Sequence, residues 1–333
     1  MILLTIIFFL FILSIFVFFK KLSSLVNTYD IPNVRKLHKE KISLAGGVYI
    51  FISTFFYLLL ILIIDKSRSE IFFNITTQYI NFFVISFTFF LIGFFDDKRN
   101  LSSNIKIVFF FILILFSVSI DPNLNVKVLR FSFVENKILL QNFSVIFTIF
   151  SIFIFINALN MYDGSNGQLG IYVLVFILYL SFKTGSLFTF NLALPIIFFI
   201  YLNLKNLTFA GNSGSYFLGF FLSYIVLKIH NQTGFLTSDE IVLIMFYPVL
   251  DLVRLFFYRV INNKNPLSAD RNHIHHILQE KNYNNKKIQL ILFSIIILPM
   301  IVYEFTKINI IIIFFLKAFF YYMIISKKFI FSK

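Results

Sequence analysis

The sequence predicts an all-α, polytopic membrane protein with about eleven transmembrane helices, because of its composition and the length of its apolar runs. Of the 333 residues, 59% are hydrophobic and 20% are aromatic, and the mean hydropathy is +0.88. A globular core cannot bury so much apolar surface, so a soluble domain is excluded. In lipid the apolar runs form helices, because each backbone polar group must be satisfied within its own segment.

Eleven apolar spans follow one another along the chain. The first, at residues 1–20, has no basic segment before it and no small-residue cleavage site, and Lys20 and Lys21 follow its apolar part. It is therefore predicted to be a retained helix rather than a signal peptide. The other ten are predicted at residues 44–64, 76–95, 104–120, 143–160, 169–183, 186–203, 213–229, 240–258, 287–303 and 308–326.

The distribution of basic residues predicts the orientation of these spans. More than half of the 29 Lys and Arg residues lie in the segments after odd-numbered spans. By the positive-inside rule, the odd-numbered loops and the C-terminus face the cytoplasm and the N-terminus lies outside. The net charge of +14 forms no continuous basic domain, so orientation and anionic lipid explain it better than nucleic acid. The absence of Cys excludes a disulfide, a thiolate nucleophile and a Cys-ligated metal.

Five polar clusters follow the odd-numbered spans, and all five lie on the predicted cytoplasmic face. The loops on the opposite face hold no comparable cluster. This one-sidedness predicts a site that opens to the cytosol at the membrane surface. The clusters comprise Asp30, Pro32, Arg35, Lys36, His38 and Gly46-Gly47, then Asp96-Asp97, and then residues 157–167, 209–215 and 265–276.

Asp96 and Asp97 end the third span within the sequence GFFDDKRN at residues 93–100. Adjacent carboxylates repel and raise each other's pKa, so such a pair usually has a cation, a metal-bound phosphate or open water beside it. The alternative is that the pair, with Lys98 and Arg99, is a solvated stop after a membrane helix. The other polar clusters on the same face favour a site.

The sequence NALNMYDGSNG at residues 157–167 interrupts an apolar span with amides, an acid and glycines. Asn157 and Asn160 are spaced i and i+3 and are followed by Asp163, which places three oxygen ligands on about one helical face. Polar residues at membrane depth are functional by default, which favours a site. A plain interhelical turn, the alternative, would explain the glycines and Asn166.

The loop after span 9 holds the densest imidazole cluster of the chain: His273, His275 and His276, with Arg271 beside them. Zinc lacks a fourth ligand or a supporting Cys here, and Arg271 and Lys264 indicate anion binding instead. A solvated basic loop is the alternative.

Two further polar patterns have ordinary explanations of equal weight. The segment Gly211–Ser215 opens a helix and offers free backbone amides to an anion, but an ordinary turn explains it as well. Asp251 and Arg254, spaced i and i+3 in span 9, are interpreted as a structural ion pair.

Taken in chain order, these motifs resemble the polyprenyl-phosphate N-acetylhexosamine-1-phosphate transferases (bacterial glycosyltransferase family 4), which begin cell-envelope glycan synthesis. The resemblance rests on Asp30-Ile-Pro-x-x-Arg-Lys-x-His with Gly46-Gly47, GFFDD, NALNMYDG, GNSGSYFLGF, and PVLDLVR followed by SADRNHIHH, within residues 28–280. It implies a single membrane transferase domain over residues 1–333, with ten or eleven transmembrane helices around a cytoplasmic cleft. It also implies a place in the bacterial inner membrane.

The resemblance implies that the phosphate of a membrane-embedded polyprenol attacks the β-phosphorus of a UDP-sugar, giving a lipid-linked diphosphate sugar and UMP. Two polyanions meet in this reaction, so a divalent cation and basic groups must neutralise the charge. The expected cation is Mg²⁺, which prefers oxygen ligands, with Mn²⁺ as the alternative. The expected partners are the UDP-sugar, undecaprenyl phosphate and the bilayer, without nucleic acid, and a homodimer stays open.

The resemblance also implies roles for individual residues. Asp96, Asp97 and Asp163 are expected to be catalytic, and Asp97, Asn160 and Asn212 to bind the metal. Phe209 stands where the family often places an aromatic ring against uracil. The expected substrate-binding residues are Arg35, Lys36, Asn157, Phe209, Arg271, His273, His275 and His276.

Two residues depart from the family pattern. Asn166 stands where many bacterial members have a second Asp, although Asn also occurs in relatives. Asn212 stands where the family usually has a metal-coordinating Asp, and an amide offers an oxygen without a charge. We expect an active variant, because the other motifs are intact.

The HIHH pattern resembles members that use UDP-N-acetylglucosamine or a related UDP-hexosamine for O-antigen, teichoic acid or capsule. Members that act on the muramoyl-pentapeptide precursor carry a three-histidine run that is absent here, so peptidoglycan is the second choice. Two other classes remain open: a transporter or lipid flippase, which the sparse even-numbered loops oppose, and a catalytically dead scaffold, which Asn212 alone supports.

Overall fold

The structure is a computed structural model of the chain, and it describes residues 2–32, 40–64, 76–266, 268 and 271–330. Arg35 and Lys36, predicted to bind substrate, lie outside these residues, so their role stays a prediction. The described residues are mainly helical, as the composition predicts. Their helices are α1 (Ile2–Val17), α2 (Phe19–Val26), α3 (Ala45–Ile64), α4 (Thr76–Arg99), α5 (Ser103–Ile120), α6 (Ser144–Tyr162), α7 (Gln168–Thr184), α8 (Leu187–Asn191), α9 (Ala193–Leu204), α10 (Gly211–Lys228), α11 (Ser238–Ile261), α12 (Ile274–Glu280), α13 (Asn285–Thr306) and α14 (Ile310–Ile330).

Two small sheets accompany the helices, and the sequence analysis predicted neither. The strands β1 (Tyr29–Asp30) and β2 (Ile42–Ser43) pair in antiparallel register, and β3 (Val128–Phe131) pairs with β4 (Val134–Leu139). The second pair occupies the connection between α5 and α6. The pairing of β3 with β4 satisfies backbone N–H and C=O groups of this polar connection within the connection itself.

Seven helical segments of the described chain are long and apolar enough to cross a membrane, and eight if α1 and α2, which meet at 66°, form one broken span. Each of the eleven predicted spans contains helix, but fewer than eleven of the described helices are long and apolar enough to cross a membrane by themselves. The helix α10 is not among the seven, and Gln168–Thr184 and Ile310–Ser326 are classed as shorter apolar helices. The fold is thus that of a helical, multi-pass membrane protein.

The chain divides into two compact units. The first comprises Met1–Val128 and Leu139–Leu236, and the second comprises Leu129–Ile138 and Thr237–Lys333. The acidic and amide motifs of the sequence belong to the first unit, and the histidine motif belongs to the second. The prediction of a single transferase domain stays a prediction.

The helix α10 is the core of the first unit, since every residue from Ser213 to Lys228 is buried. Glycines on the neighbouring helices α3 and α4 make this burial possible, and against α6 a glycine of α10 itself does so. A Cβ atom on Gly47 would lie 2.3 Å from the carbonyl oxygen of Ala210, and one on Gly219 would lie 2.8 Å from Cα of Ile156. The Gly46-Gly47 pair of the sequence is therefore explained by close helix packing.

Gly93 on α4 makes the corresponding contact with the first turn of α10, where a Cβ would lie 2.3 Å from the carbonyl oxygen of Asn212. We expect Gly93→Ala to destabilise the protein by about 1–3 kcal/mol, because backbone must move to admit the methyl group. Gly170→Ala is the matched control, since the atoms nearest to its Cβ would be side-chain atoms of Ile200 and Phe199, which can shift, rather than backbone. Thermal unfolding in detergent measures both, and equal midpoints would contradict the prediction.

The far end of α10 carries a buried ion pair. Nζ of Lys228 lies 2.6 Å from Oδ2 of Asp121 at the end of α5, and both side chains are fully buried. Tyr224 donates its hydroxyl to the same carboxylate, and Lys228 also donates to Oε1 of Gln78 on α4 at 3.1 Å. The pair therefore joins α4, α5 and α10 at the end remote from the acidic motif.

The second unit is built from α11 to α14 together with most of the β3–β4 sheet. Thr237 and Glu240 form a capping box that begins α11, and Asp239 accepts hydrogen bonds from the backbone and hydroxyl of Ser132 between the strands. Lys317 of α14 is buried and donates to the carbonyl oxygen of Leu243 at 2.7 Å.

Candidate active site

Asp96 and Asp97 make different contacts although they are adjacent in α4, because successive side chains on a helix diverge by about 100°. Asp96 is buried, and its Oδ1 accepts the N–H of Leu101 at 2.8 Å. Its Oδ2 accepts from Nζ of Lys106 at 3.0 Å and from the hydroxyl of Tyr216 at 2.8 Å. Its charge is therefore compensated within the protein, where it joins α4 to α5 and α10.

Asp97 faces the first turn of α10 instead. Its Oδ1 accepts the N–H of Asn212 at 2.8 Å, and its Oδ2 accepts the N–H of Ser213 at 3.0 Å. The N–H groups of a first helical turn have no partner within the helix and favour negative charge, so they stabilise this carboxylate. Each oxygen keeps a further lone pair that a cation could use.

Gly211 lets the carboxylate come this close. Its φ of +67° lies in the left-handed region, and a Cβ there would be 2.7 Å from Oδ2 of Asp97. Both the backbone conformation and the space therefore require glycine at this position. The segment Gly211–Ser215, for which anion binding was one interpretation, thus places its first amides on a carboxylate of the protein itself.

The end of α6 brings the amide motif to the same helix. Oδ1 of Asn160 accepts the hydroxyl of Ser215 at 2.8 Å, so Asn160 lies beside the first turns of α10. Asn157 donates its Nδ2 to the carbonyl oxygen of Phe153 at 2.8 Å, which orients its amide along its own helix. Asn157 and Asn160 are half-buried, so their side chains border accessible space.

Asp163 caps the C-terminus of α6, and among the described residues none donates a hydrogen bond to its carboxylate. Loss of hydration, together with the negative charges of Asp97 and Asp30, raises the pKa of Asp163 to about 7. The fold therefore gathers three acids that are far apart in the sequence. Asp30 was placed in the first polar cluster without a role, and no sequence pattern indicated that it lies near Asp163.

A network of amides supports the connection after α6. Asn203 accepts the N–H of Gly167 and donates to the carbonyl oxygen of Thr208 at 2.7 Å, and Asn166 donates to Oδ1 of Asn206. Asn166, the milder departure from the family pattern, thus has a neutral partner. Neither Asn203 nor Asn206 could be predicted from the sequence, because single amides at the end of an apolar helix form no motif.

Phe209 lies between this network and α10. Its N–H donates to the carbonyl oxygen of Ser43 at 2.9 Å, and its neighbour Thr208 donates to the same oxygen at 2.8 Å and accepts the N–H of Gly46. The ring is half-buried, so one part of it remains accessible for stacking. The predicted role of Phe209 against uracil stays a prediction.

The oxygen-rich donor set of the first unit fits a hard divalent cation. Asp97 and Asn160 retain acceptor capacity, and Asp163 has a desolvated carboxylate without a donor among the described residues. Within the described chain no three His, Asp or Glu residues converge on a closed metal centre. Mg²⁺ is an example of such a hard cation, because it prefers oxygen ligands and keeps water and substrate phosphates in its coordination shell.

The histidine motif in the second unit is a cluster of three imidazoles. The rings of His273 and His275 stack at 5.6 Å, and those of His275 and His276 lie 4.2 Å apart. Burial lowers the pKa of both His275 and His276, and the neighbouring imidazoles lower each further. Arg271 is exposed beside them. No zinc centre is found in the described part of this loop.

Asp251 and Arg254 are paired as predicted, at 2.7 Å, but the pair also holds the histidine motif. Oδ2 of Asp251 lies 2.8 Å from Nδ1 of His273, and the guanidinium of Arg254 donates to the carbonyl oxygen of Asn272 at 2.6 Å. No sequence pattern linked this ion pair to the histidines.

Comparisons with known proteins agree with the motif order. The model of glycosyl transferase family 4 matches residues 79–230, which include the acidic pair, the amide motif and the start of α10. The undecaprenyl-phosphate alpha-N-acetylglucosaminyl 1-phosphate transferase of Thermotoga maritima is 30% identical over 76% of this chain and 73% of its own. The proteins of the same name are 27% identical in Yersinia pestis (84% and 77% coverage) and 26% identical in Escherichia coli K12 (82% and 75%).

Proposed function

The chain belongs to glycosyl transferase family 4, and on this premise we propose that it transfers a sugar 1-phosphate from a UDP-sugar to undecaprenyl phosphate, releasing UMP. The observation that carries the proposal is that relatives bearing the name of this activity match most of the chain and most of their own length. The sugar is proposed to be N-acetylglucosamine or another N-acetylhexosamine. The reaction would be the first membrane step of a cell-envelope polysaccharide.

The chemistry needs an oxygen of the lipid phosphate to form a bond to the β-phosphorus while the bond from that phosphorus to the UMP oxygen breaks. Bound Mg²⁺ would supply positive charge to these phosphates. Asp97, Asn160 and Asn212 are proposed to hold it, since Asp97 accepts the backbone N–H of Asn212 and Asn160 accepts the hydroxyl of Ser215 in the first turns of α10. Asp163 is proposed to act beside them, because loss of hydration and the charges of Asp97 and Asp30 disfavour its ionised form, which a bound cation would stabilise.

Asp96 receives a different role within the same proposal. Its oxygens are occupied by Lys106, Tyr216 and the backbone of Leu101, so it positions the helix end that carries Asp97. We propose that Arg271 and the three histidines of the second unit bind the diphosphate and sugar, in agreement with the family resemblance. Arg35, Lys36, Asn157 and Phe209 are proposed substrate contacts on that resemblance alone.

The finer topology is also part of the proposal. All eleven predicted spans contain helix, and we propose that each crosses the bacterial inner membrane, with the N-terminus outside and the C-terminus inside. The site would then open to the cytoplasm, where UDP-sugars are made. Homodimerisation is an open addition to this arrangement.

The direct test is UMP release by purified protein in detergent with undecaprenyl phosphate and Mg²⁺. The donors are UDP-N-acetylglucosamine, other UDP-N-acetylhexosamines and the muramoyl-pentapeptide nucleotide, each added alone. Release that requires both lipid and metal supports the transferase and identifies the sugar. Release with the muramoyl-pentapeptide nucleotide alone would assign the protein to peptidoglycan. No release with any donor, from folded protein, would favour a catalytically impaired scaffold.

Asn212→Asp tests the departure from the family pattern. The backbone N–H of Asn212 donates to Oδ1 of Asp97, so a carboxylate on this residue adds negative charge close to the proposed metal site. We expect the Mg²⁺ concentration for half-maximal UMP release to fall by roughly tenfold, because ligand charge strengthens binding of a hard cation. Asn262→Asp, the same change on the exposed residue after α11, is the matched control. An unchanged Mg²⁺ requirement would remove Asn212 from the metal site.

A further inference from the structure

One buried carboxylate outside the acidic motif makes contacts that the proposed function does not use. Asp251 is only 4% exposed and accepts four hydrogen bonds. Its Oδ1 accepts from Arg254 at 2.7 Å and from the hydroxyl of Tyr321 at 2.6 Å. Its Oδ2 accepts from Nδ1 of His273 at 2.8 Å and, at 3.5 Å, from the N–H of Ile274. These groups fill its acceptor positions, so it acts as a fixed acceptor.

The same network fixes the backbone that carries the imidazole. Arg254 donates to the carbonyl oxygen of Asn272, the residue before His273, and its Nε donates to the hydroxyl of Tyr321 at 2.8 Å. The backbone before His273 and its side chain are therefore both held by α11 and α14. A plain surface ion pair would need neither contact.

The hydrogen-bond chemistry determines which ring nitrogen is available. A carboxylate that is ion-paired to Arg254 can only accept, so Nδ1 of His273 must carry a proton. The side chain of His273 remains 11% exposed, and no described residue makes a hydrogen bond to its Nε2. Nε2 is thus the nitrogen that can reach a ligand.

We propose that Asp251 is a positioning residue that accepts the Nδ1–H of His273, so that the ring can carry a second proton on Nε2 and donate it to a phosphate oxygen of the nucleotide-sugar. This inference rests on the proposed function, because it takes the ligand to be that diphosphate. When Nε2 is also protonated it donates to the phosphate oxygen, and the carboxylate across the ring compensates the charge. Among the residues that the structure describes, the other titratable or charged groups around the ring are Arg254, Tyr321, His275, His276 and Arg271.

The first measurement is the ¹⁵N spectrum of histidine ring nitrogens in the full-length protein, with the signals of His273 assigned by their loss in His273→Asn. Wild-type protein is expected to show a protonated Nδ1 at His273. A proton on Nε2 alone would overturn the proposal, and this outcome needs no variant of Asp251. The spectrum is independent of turnover, so it remains informative if no donor gives UMP and the proposed function fails.

Asp251→Asn is the corresponding variant, because an amide can present its NH₂ group to Nδ1, which removes the proton there and the negative charge that a ring protonated on both nitrogens needs. We expect kcat/KM for the UDP-sugar to fall by about tenfold to a hundredfold, as for other carboxylates that orient a histidine, with KM for undecaprenyl phosphate unchanged. In the background of His273→Asn the same change should cost little further activity. If the two substitutions reduced activity independently, so that their fold losses multiplied in the double variant, Asp251 would act structurally and the proposal would be overturned.

Tyr321→Phe is the matched control within the network. It removes a hydrogen bond to Oδ1 of Asp251 but leaves the contact of Oδ2 with His273. The variant should retain the proton on Nδ1, whereas Asp251→Asn should lose it. If both variants changed the ¹⁵N signals of His273 alike, a general loss of order in these hydrogen bonds would explain the change, and the specific role of Asp251 would be contradicted.

Discussion

Asp97→Asn is expected to reduce UMP release by about two to three orders of magnitude while the protein stays folded, a loss typical of removing one preorganised charge-stabilising group. The carboxylate accepts the N–H groups of Asn212 and Ser213 with one lone pair of each oxygen. An amide has the same shape but one acceptor oxygen and no charge, so it can satisfy one of these N–H groups at most. The negative charge at the proposed cation site is lost, whereas the packing of α4 on α10 is kept.

The measurement is kcat for UMP release at saturating Mg²⁺, with thermal unfolding and gel filtration to verify the fold. Glu135→Gln supplies the control, since it makes the same carboxylate-to-amide change on the exposed strand β4. That variant should retain full activity. Normal turnover by Asp97→Asn would show that the site has been assigned to the wrong residues.

Lys228→Met is expected to destabilise the protein by about 3–5 kcal/mol, because it leaves the carboxylate of Asp121 buried without its cation. Both side chains are fully buried, and the pair joins three helices of the first unit. The hydroxyl of Tyr224 and the N–H of Asn123 still donate to Asp121, but they carry no compensating charge. The midpoint of thermal unfolding in detergent measures the effect.

Two further variants separate the buried charge from the general effect of losing a lysine. Lys307→Met removes an exposed partner of Glu304 and should cost less than about 1 kcal/mol, as surface pairs do. Adding Asp121→Asn to Lys228→Met removes the unpaired charge, so the double variant should recover part of the lost stability. If Lys228→Met unfolds at the wild-type temperature, the pair does not stabilise this end of α10.

The helices could be predicted well from the sequence, because each must satisfy its backbone within one apolar segment regardless of its neighbours. The ends of α3, α5 and α6 lie within a few residues of the predicted spans. The number of membrane crossings was less predictable. The helix α10 is buried by protein from Ser213 to Lys228. The apolar character of these residues therefore reflects packing against other helices as much as contact with lipid.

The candidate residues could be found from the sequence, but the different role of each residue could not be predicted from it. Asp96 and Asp97 are equivalent in the sequence, whereas in the structure one is paired with Lys106 and the other faces the amides of α10. Asp30 and Asp163 are separated by more than a hundred residues and act on each other only after folding. The link between Asp251 and His273 was missed for the same reason.

The sequence by itself determined the helical membrane class, the order of the motifs and the residue types available for phosphate chemistry, because hydropathy and motif spacing are local properties of the chain. Only the tertiary structure decided which carboxylate is compensated by protein and which keeps lone pairs for a cation. It also decided which nitrogen of His273 is free. Charge compensation and hydrogen bonding depend on distances of a few ångströms between residues far apart in the chain, and folding alone sets those distances.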